Sequence, residues 1–207
     1  MISTEEFIKV ADLPGWTWGK RKPRRALIIG GTRGIGAALA GLLFSQGWDV
    51  EAWGRKNLDL RERLGFLLQL APVDFVCFCA GDLEPLPWDR KTAEAYIDSY
   101  LTHAAGPMLL LAANKNTVFP WWTKVCFVSS VGAINDGIVD LAYGMAKAAL
   151  DKAAKALAAH EAWEIHLVRF DLVETDTMYK LPTDTLHGRP VLSPLEAAEQ
   201  IVKECGL

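Results

Sequence analysis

The sequence predicts an open, doubly wound α/β domain, a parallel sheet with helices on both faces. Three observations carry this expectation. Five short and nearly unbroken apolar runs recur along the chain: "RALIIGG", "WDVEAWG", "VDFVCFCAG", "KVCFVSS" and "EIHLVRF". Strands read this way when both of their faces are buried. Longer segments rich in Ala and Leu alternate with them, as a β-α-β chain requires. A glycine-rich turn, "GGTRGIG", joins the first run to the first helical segment.

The elements follow in order. A strand at 25–31 leads through the turn into a helix at 35–46, and a second strand covers 48–54. Only "RKNLDL" follows Trp53 before the pattern changes. A helical crossover to a parallel strand needs about a dozen residues, so the usual helix is missing and any third strand is short. Residues 61–70, "RERLGFLLQL", read as helical and lead into a strand at 73–81. A long helix is expected at 89–113, a strand at 124–130, a helix at 143–160 and a strand at 164–170. No seventh strand is evident, and the segment 179–189 leaves room only for a short lid. "SPLEAAEQIVKECG" closes the chain as a helix, with Ser193 as N-cap and Pro194 at its first position. The 207 residues suit one domain. We assign 1–24 to an N-terminal extension and 25–207 to the domain.

Composition narrows the function. Hydrophobic residues make up 51% of the chain, which argues against disorder. The net charge of -3, from 22 basic and 25 acidic side chains, gives no ground for nucleic acid as a partner. The run "KRKPRR" reads as a solvated ramp ahead of the first strand. Cys77, Cys79, Cys126 and Cys205 suit buried thiols of a reduced intracellular protein. Cys77 and Cys79 lack a second ligand pair, so no metal is expected. There is no leader-type apolar core, and no apolar run reaches the ~18 residues of a membrane span. The cytoplasm is the default location. Of eight tryptophans, the pairs Trp16/Trp18 and Trp121/Trp122 suit aromatic packing or a subunit interface better than substrate binding.

The glycine turn points to a dinucleotide. Gly30 permits a tight turn, Gly34 lets backbone approach a pyrophosphate, and Gly36 lets the helix pack on the sheet. The helix N-terminus then offers N–H groups and a positive dipole end to the anion. Thr32, Arg33 and Ile35 complete this cradle. An NAD site usually ends its second strand with an acid on the ribose hydroxyl. Here the strand ends "AWGRK". Arg55 and Arg33 suit a 2′-phosphate by bidentate, charge-assisted bonding, so the reading is NADP(H).

Taken together, "GGTRGIG", "CAG" at 79–81, Ser130 and "YGMAK" at 143–147 resemble the short-chain dehydrogenase/reductase family in order and spacing. The resemblance covers about residues 25–178 and implies a Rossmann-type fold. Tyr143 and Lys147 stand at i and i+4 on one helix face, where an ammonium is expected to lower the phenol's pKa. By resemblance, Ser130 polarises a substrate carbonyl, Tyr143 donates the proton, and Lys147 also holds the nicotinamide ribose. Asp59 and Leu60 resemble the adenine side of the family's site. Cys79, Ala80 and Gly81 lie against adenosine, and Val173 and Thr175 belong to the segment over the nicotinamide. The implied activity is NADPH-dependent reduction of a small-molecule carbonyl, or oxidation of the alcohol. Alternatives are a non-catalytic NADP(H)-binding sensor or scaffold, and pterin-reductase-like or dehydratase-like chemistry.

Departures accompany the resemblance. Phe78 and Cys79 replace the family's two asparagines. His103 stands where a catalytic Asn usually anchors a relay water. It either takes over that role, or titrates, or is a satisfied helix histidine. Phe170-Asp171 replaces Pro-Gly; Asp171 either meets a cationic or hydroxylated substrate or bonds backbone N–H groups. The family commonly dimerises through its two long helices, so a homodimer or homotetramer is expected, with the alanine-rich 143–160 face allowing close approach.

Overall fold

Alternate residues of the first strand enter two separate apolar cores: Leu27 and Ile29 in one, Ala26 and Ile28 in the other. The computed structural model describes residues 23–62, 67–135, 140–186 and 188–207. In chain order its main elements are β1 (Arg25–Ile29), α1 (Gly34–Ser45), β2 (Asp49–Trp53), β3 (Phe75–Phe78), α2 (Ala93–Tyr100), α3 (Gly106–Ala113), β4 (Lys124–Ser130), α4 (Leu141–His160), β5 (Glu164–Phe170), β6 (Leu172–Val173), β7 (Val191–Leu192) and α5 (Pro194–Cys205). Residues 1–22, with Trp16, Trp18 and most of the basic run, lie outside the described residues.

The main sheet is five-stranded and parallel, in the order β2-β1-β3-β4-β5. Side chains alternate across a strand, so strands apolar at every position need helices on both sides. Leu39 and Leu43 of α1 and Ala197, Ala198 and Ile201 of α5 cover one face. Leu110 and Leu111 of α3 and Leu150 and Ala154 of α4 cover the other. The chain moves from β1 outward to β2, then returns past β1 to β3. The carboxyl ends of β1 and β3 therefore form the crevice where such sheets bind ligands. Among the described residues, no helix is long and apolar enough to cross a membrane.

Most expected elements are present, with four corrections. Residues 67–70 are not helical and 60–61 form a turn, closed by the Glu62 N–H on the Asp59 carbonyl; 63–66 lie outside the described residues. Leu68 and Leu70 pack on the first core, and the Leu68 N–H donates to Asn114 Oδ1 at 2.7 Å. That tertiary bond holds irregular chain where local pattern favoured a helix.

The long helix expected at 89–113 is broken instead. A short turn at Trp88–Arg90 precedes α2, and a π turn, Leu101–Ala105, separates α2 from α3. Pro107 explains the wider turn. It has no N–H for the His103 carbonyl, and its ring would crowd that oxygen in a regular helix. The Gly106 N–H bonds the Leu101 carbonyl, and a side chain on Gly106 would fall 2.7 Å from the Leu60 carbonyl oxygen.

The main sheet ends at β5, yet the short pair β6-β7, unforeseen in the sequence, follows it. The end of the basic run is also engaged. The Arg24 guanidinium lies 4.1 Å over the Trp48 ring, and Arg25 Nε donates to Asp49 at 2.9 Å. Trp121 and Trp122 stay 67% and 50% exposed, edge to face at 5.8 Å.

Candidate active site

One cleft of about 1050 Å³ runs along the carboxyl ends of the central strands. At one end lies the glycine turn. The Gly30 and Gly31 N–H groups both donate to the Trp53 carbonyl, at 2.7 and 2.9 Å, which ties the turn to the end of β2. Gly30 has φ +85°, and a side chain on it would lie 2.5 Å from the Ala80 Cα. This close approach joins "GGTRGIG" to "CAG" across the sheet. Gly34 opens α1 at φ +54°, and the first turn of α1 carries neither an acidic residue nor a side-chain cap. The start of α1 lines the cleft, and its first-turn N–H groups take no side-chain cap, which suits an anion.

The lining continues through Thr32, Arg33, Ile35, Gly36, Arg55, Asp59, Leu60, Cys79, Ala80, Gly81, Val173 and Thr175. Arg55 is exposed at the mouth. Arg33 is 55% exposed and loosely held by Asp82 at 3.8 Å and Asp176 at 3.6 Å. Asp59 is engaged more firmly. Arg61 donates from Nε at 2.9 Å and from Nη2 at 2.5 Å, and these bonds hold the carboxyl at about 2. The donor set therefore fits a dinucleotide with an extra phosphate: a glycine cradle, an uncapped helix start flanked by Arg33, and Arg55 just after β2.

The other end of the cleft holds Ser130, Tyr143, Lys147 and His103. Ser130 closes β4, and its Oγ accepts from the Gly132 N–H at 3.1 Å while its own O–H faces the Tyr143 phenol. Tyr143 and Lys147 share a face of α4. Lys147 is 5% exposed and donates to the Val128 carbonyl at 2.7 Å, with its Nζ 5.6 Å from the Tyr143 ring centre. Burial lowers the ammonium to about 8. The Tyr143 phenol differs from expectation. Burial raises it to about 12, a hydrogen bond from Ser130 pulls it partly back, and the Asp140 charge adds to the rise. Depth in the cleft outweighs the ammonium, whose proton points at a backbone carbonyl. The phenol keeps its proton through the neutral range.

His103 is 2% exposed, held inward by the π turn. Its Nε2 lies 2.9 Å from the Asp82 carbonyl oxygen. A carbonyl only accepts, so Nε2 carries the proton and Nδ1 presents a lone pair, buried and unpartnered. The ring meets Tyr143 edge to face at 4.9 Å. Burial and the Lys147 charge lower it to about 3, so the imidazole is neutral and does not titrate near neutrality.

Sequence reasoning missed three groups. Asp151 is buried, accepts from Ser129 Oγ at 2.5 Å and pairs with Arg169 at 2.7 Å. Its signal was present, because Tyr143, Lys147 and Asp151 recur every four residues. Asp140 N-caps α4, and an Asp ahead of an apolar helical run was the cue. Lys91, which pairs with it, gave no cue at all. Asp171, open in the sequence reading, pairs with Arg189, whose Nη1 donates to the Thr185 carbonyl at 3.1 Å. Lys180, in the segment expected to form a short lid, reaches Asp82 at 2.6 Å.

No protein-family model matches the sequence, and no curated protein does. Solved structures match in fold. A short-chain dehydrogenase family protein from Francisella tularensis shares 16% identity at a TM-score of 0.73, over 89% of this chain and 91% of that one. A short-chain dehydrogenase from Sphingobium yanoikuyae in complex with NADPH shares 17% at 0.69, over 87% and 83%. A Brucella melitensis protein named ribose-5-phosphate isomerase shares 20% at 0.74, over 90% and 86%. The chain has the short-chain dehydrogenase fold, and a fold hosts more than one chemistry.

Proposed function

We propose that this chain, built on the short-chain dehydrogenase fold, is an NADPH-dependent reductase of a small-molecule carbonyl. The observation that carries the reading is the single cleft with a glycine cradle at one end and Ser130, Tyr143 and Lys147 at the other. The cradle of Gly30, Gly34 and Gly36 would hold the pyrophosphate, Arg33 and Arg55 the 2′-phosphate, and Lys147 the nicotinamide ribose. NADPH, when bound, supplies the hydride.

The chain's own residues manage the proton and the geometry. The Ser130 hydroxyl, which faces the Tyr143 phenol, turns its O–H to the carbonyl oxygen and polarises it. The Tyr143 phenol, protonated at working pH, delivers its proton to that oxygen as negative charge develops. His103, neutral and edge-on to the phenol, holds the ring in place without exchanging a proton. We further propose a homodimer through α2–α3 and α4, whose surfaces leave Ile97, Tyr100, Leu109 and Met145 exposed.

The test is turnover by the purified chain with NADPH and a panel of small ketones and aldehydes, followed by loss of NADPH absorbance. Tyr143→Phe should lower the rate by about 100-fold or more while NADPH still binds. Full activity in that variant would refute Tyr143 as the proton donor, and NADPH binding with no turnover on any carbonyl would favour a non-catalytic binding role.

A further inference from the structure

An ion pair that the proposed chemistry does not use stands at the start of α4. Asp140 Oδ1 accepts from the Tyr143 backbone N–H at 3.1 Å and lies 3.0 Å from Lys91 Nζ. Its Oδ2 accepts from the Glu84 N–H at 2.9 Å, and Lys91 Nζ also donates to the Glu84 carbonyl at 2.6 Å. The two side chains are 2% and 4% exposed. A helix cap alone needs no buried ammonium, because a solvated Asp caps equally well. Burying both charges costs desolvation that only good geometry offsets. Asp140 lines the main cleft, and both residues line a second cavity of about 300 Å³ that also reaches His103. The pair thus stands between the two cavities.

We propose that Lys91 and Asp140 form a charge-balanced positioning pair that sets the proton affinity of Tyr143. The inference rests on Tyr143 being the proton donor. Among the described residues, three other groups face the phenol: Lys147 from α4, the neutral His103 from the π turn, and the Ser130 hydroxyl from the end of β4. Asp140 repels a phenolate, and Lys91 offsets that repulsion. The raised phenol, on which Asp140 acts, agrees with this arrangement. Losing the ammonium should make the phenol harder to ionise. Losing the carboxylate should make it easier. A purely mechanical joint would respond to both losses in the same sense.

The experiment uses the full chain with Lys91→Met, with Asp140→Asn and with both changes. Phenolate absorbance is followed to about pH 11, and Tyr143→Phe in each background subtracts the other tyrosines. In the Asp140→Asn variant, ionisation should begin about one pH unit earlier than in the unchanged chain. In Lys91→Met, the ionised fraction at about pH 11 should fall. The double variant should return close to the unchanged chain. If Lys91→Met does not fold, the double variant set against Asp140→Asn reads the same contribution. Single variants that shift the same way, or do not shift, overturn the proposal. Absence of turnover would sink the reductase reading alone, because the phenol titration needs no substrate.

Discussion

Replacing His103 with Asn should remove a defined part of the fold's sensitivity to acid. The imidazole is buried beside the Lys147 charge, and its pKa falls from 6.5 to about 3. The folded value lies below the unfolded one. Between the two, the unfolded chain binds a proton that the folded chain refuses, so stability rises with pH across that window and is lost on acidification. Integrated from about pH 7 down to about pH 4.5, the loss is ~2.5 kcal/mol. Asn carries no such proton, yet its amide can still donate toward the Asp82 carbonyl. Urea unfolding followed by tryptophan fluorescence at the two pH values is the assay. With a slope of about 2 kcal/mol/M, the unchanged chain should lose ~1 M more in midpoint than His103→Asn. Carboxylates titrate alike in both chains and cancel. Equal losses would refute the picture of a buried imidazole excluded from protonation.

Three further outcomes are expected. Isothermal titration should show NADPH binding several-fold more tightly than NADH. Arg55→Asp should cut that gap by about 10-fold, since an exposed charge-assisted contact contributes ~1 kcal/mol and the new carboxylate adds repulsion; tighter NADH binding by the unchanged chain would defeat the assignment. Asp151→Ala strips the partner from Arg169 and Ser129 and should cost about 3 kcal/mol in chemical denaturation; a loss below about 0.5 kcal/mol would mean the pair is solvated. Light scattering should give a dimer or tetramer, and Ala149→Glu with Ala153→Glu should yield monomer; an unchanged mass would exclude the α4 surface as the interface.

The sequence was most legible where local signals agreed. β4 and β5 fall where "KVCFVSS" and "EIHLVRF" place them; β4 is buried along nearly its whole length, while β5, at the sheet edge, buries only Val168 and Phe170. Ser193 caps α5 in a full capping box with Glu196, and Gly206 ends it at φ +59°. The residues named for the cradle, the ribose side and the proton transfer all line one cleft, since motif order on a parallel sheet fixes which strand ends meet. Depth was not legible. Spacing puts Lys147 beside Tyr143, but only the folded chain shows the ammonium bound to the Val128 carbonyl and the phenol shifted by burial. Distant partners were equally hidden: nothing in the local pattern announces that the Leu68 N–H will donate to Asn114. "AAGPM" did carry a local sign of the π turn, in a proline that removes one helical donor.

That turn also changes the phase of everything after it. In an unbroken helix, Ile97 and Leu109 would point about 120° apart, at 100° per residue. One residue taken up without its usual rotation brings them within about 20°. Both are exposed, so the two shorter helices present one apolar stripe where a continuous helix would present two scattered side chains. Deleting a single residue within Leu101–Ala105 would place Leu109 eleven residues after Ile97, so a regular helix would keep the two side chains within the same ~20°, and the stripe would outlast the wide turn that made it.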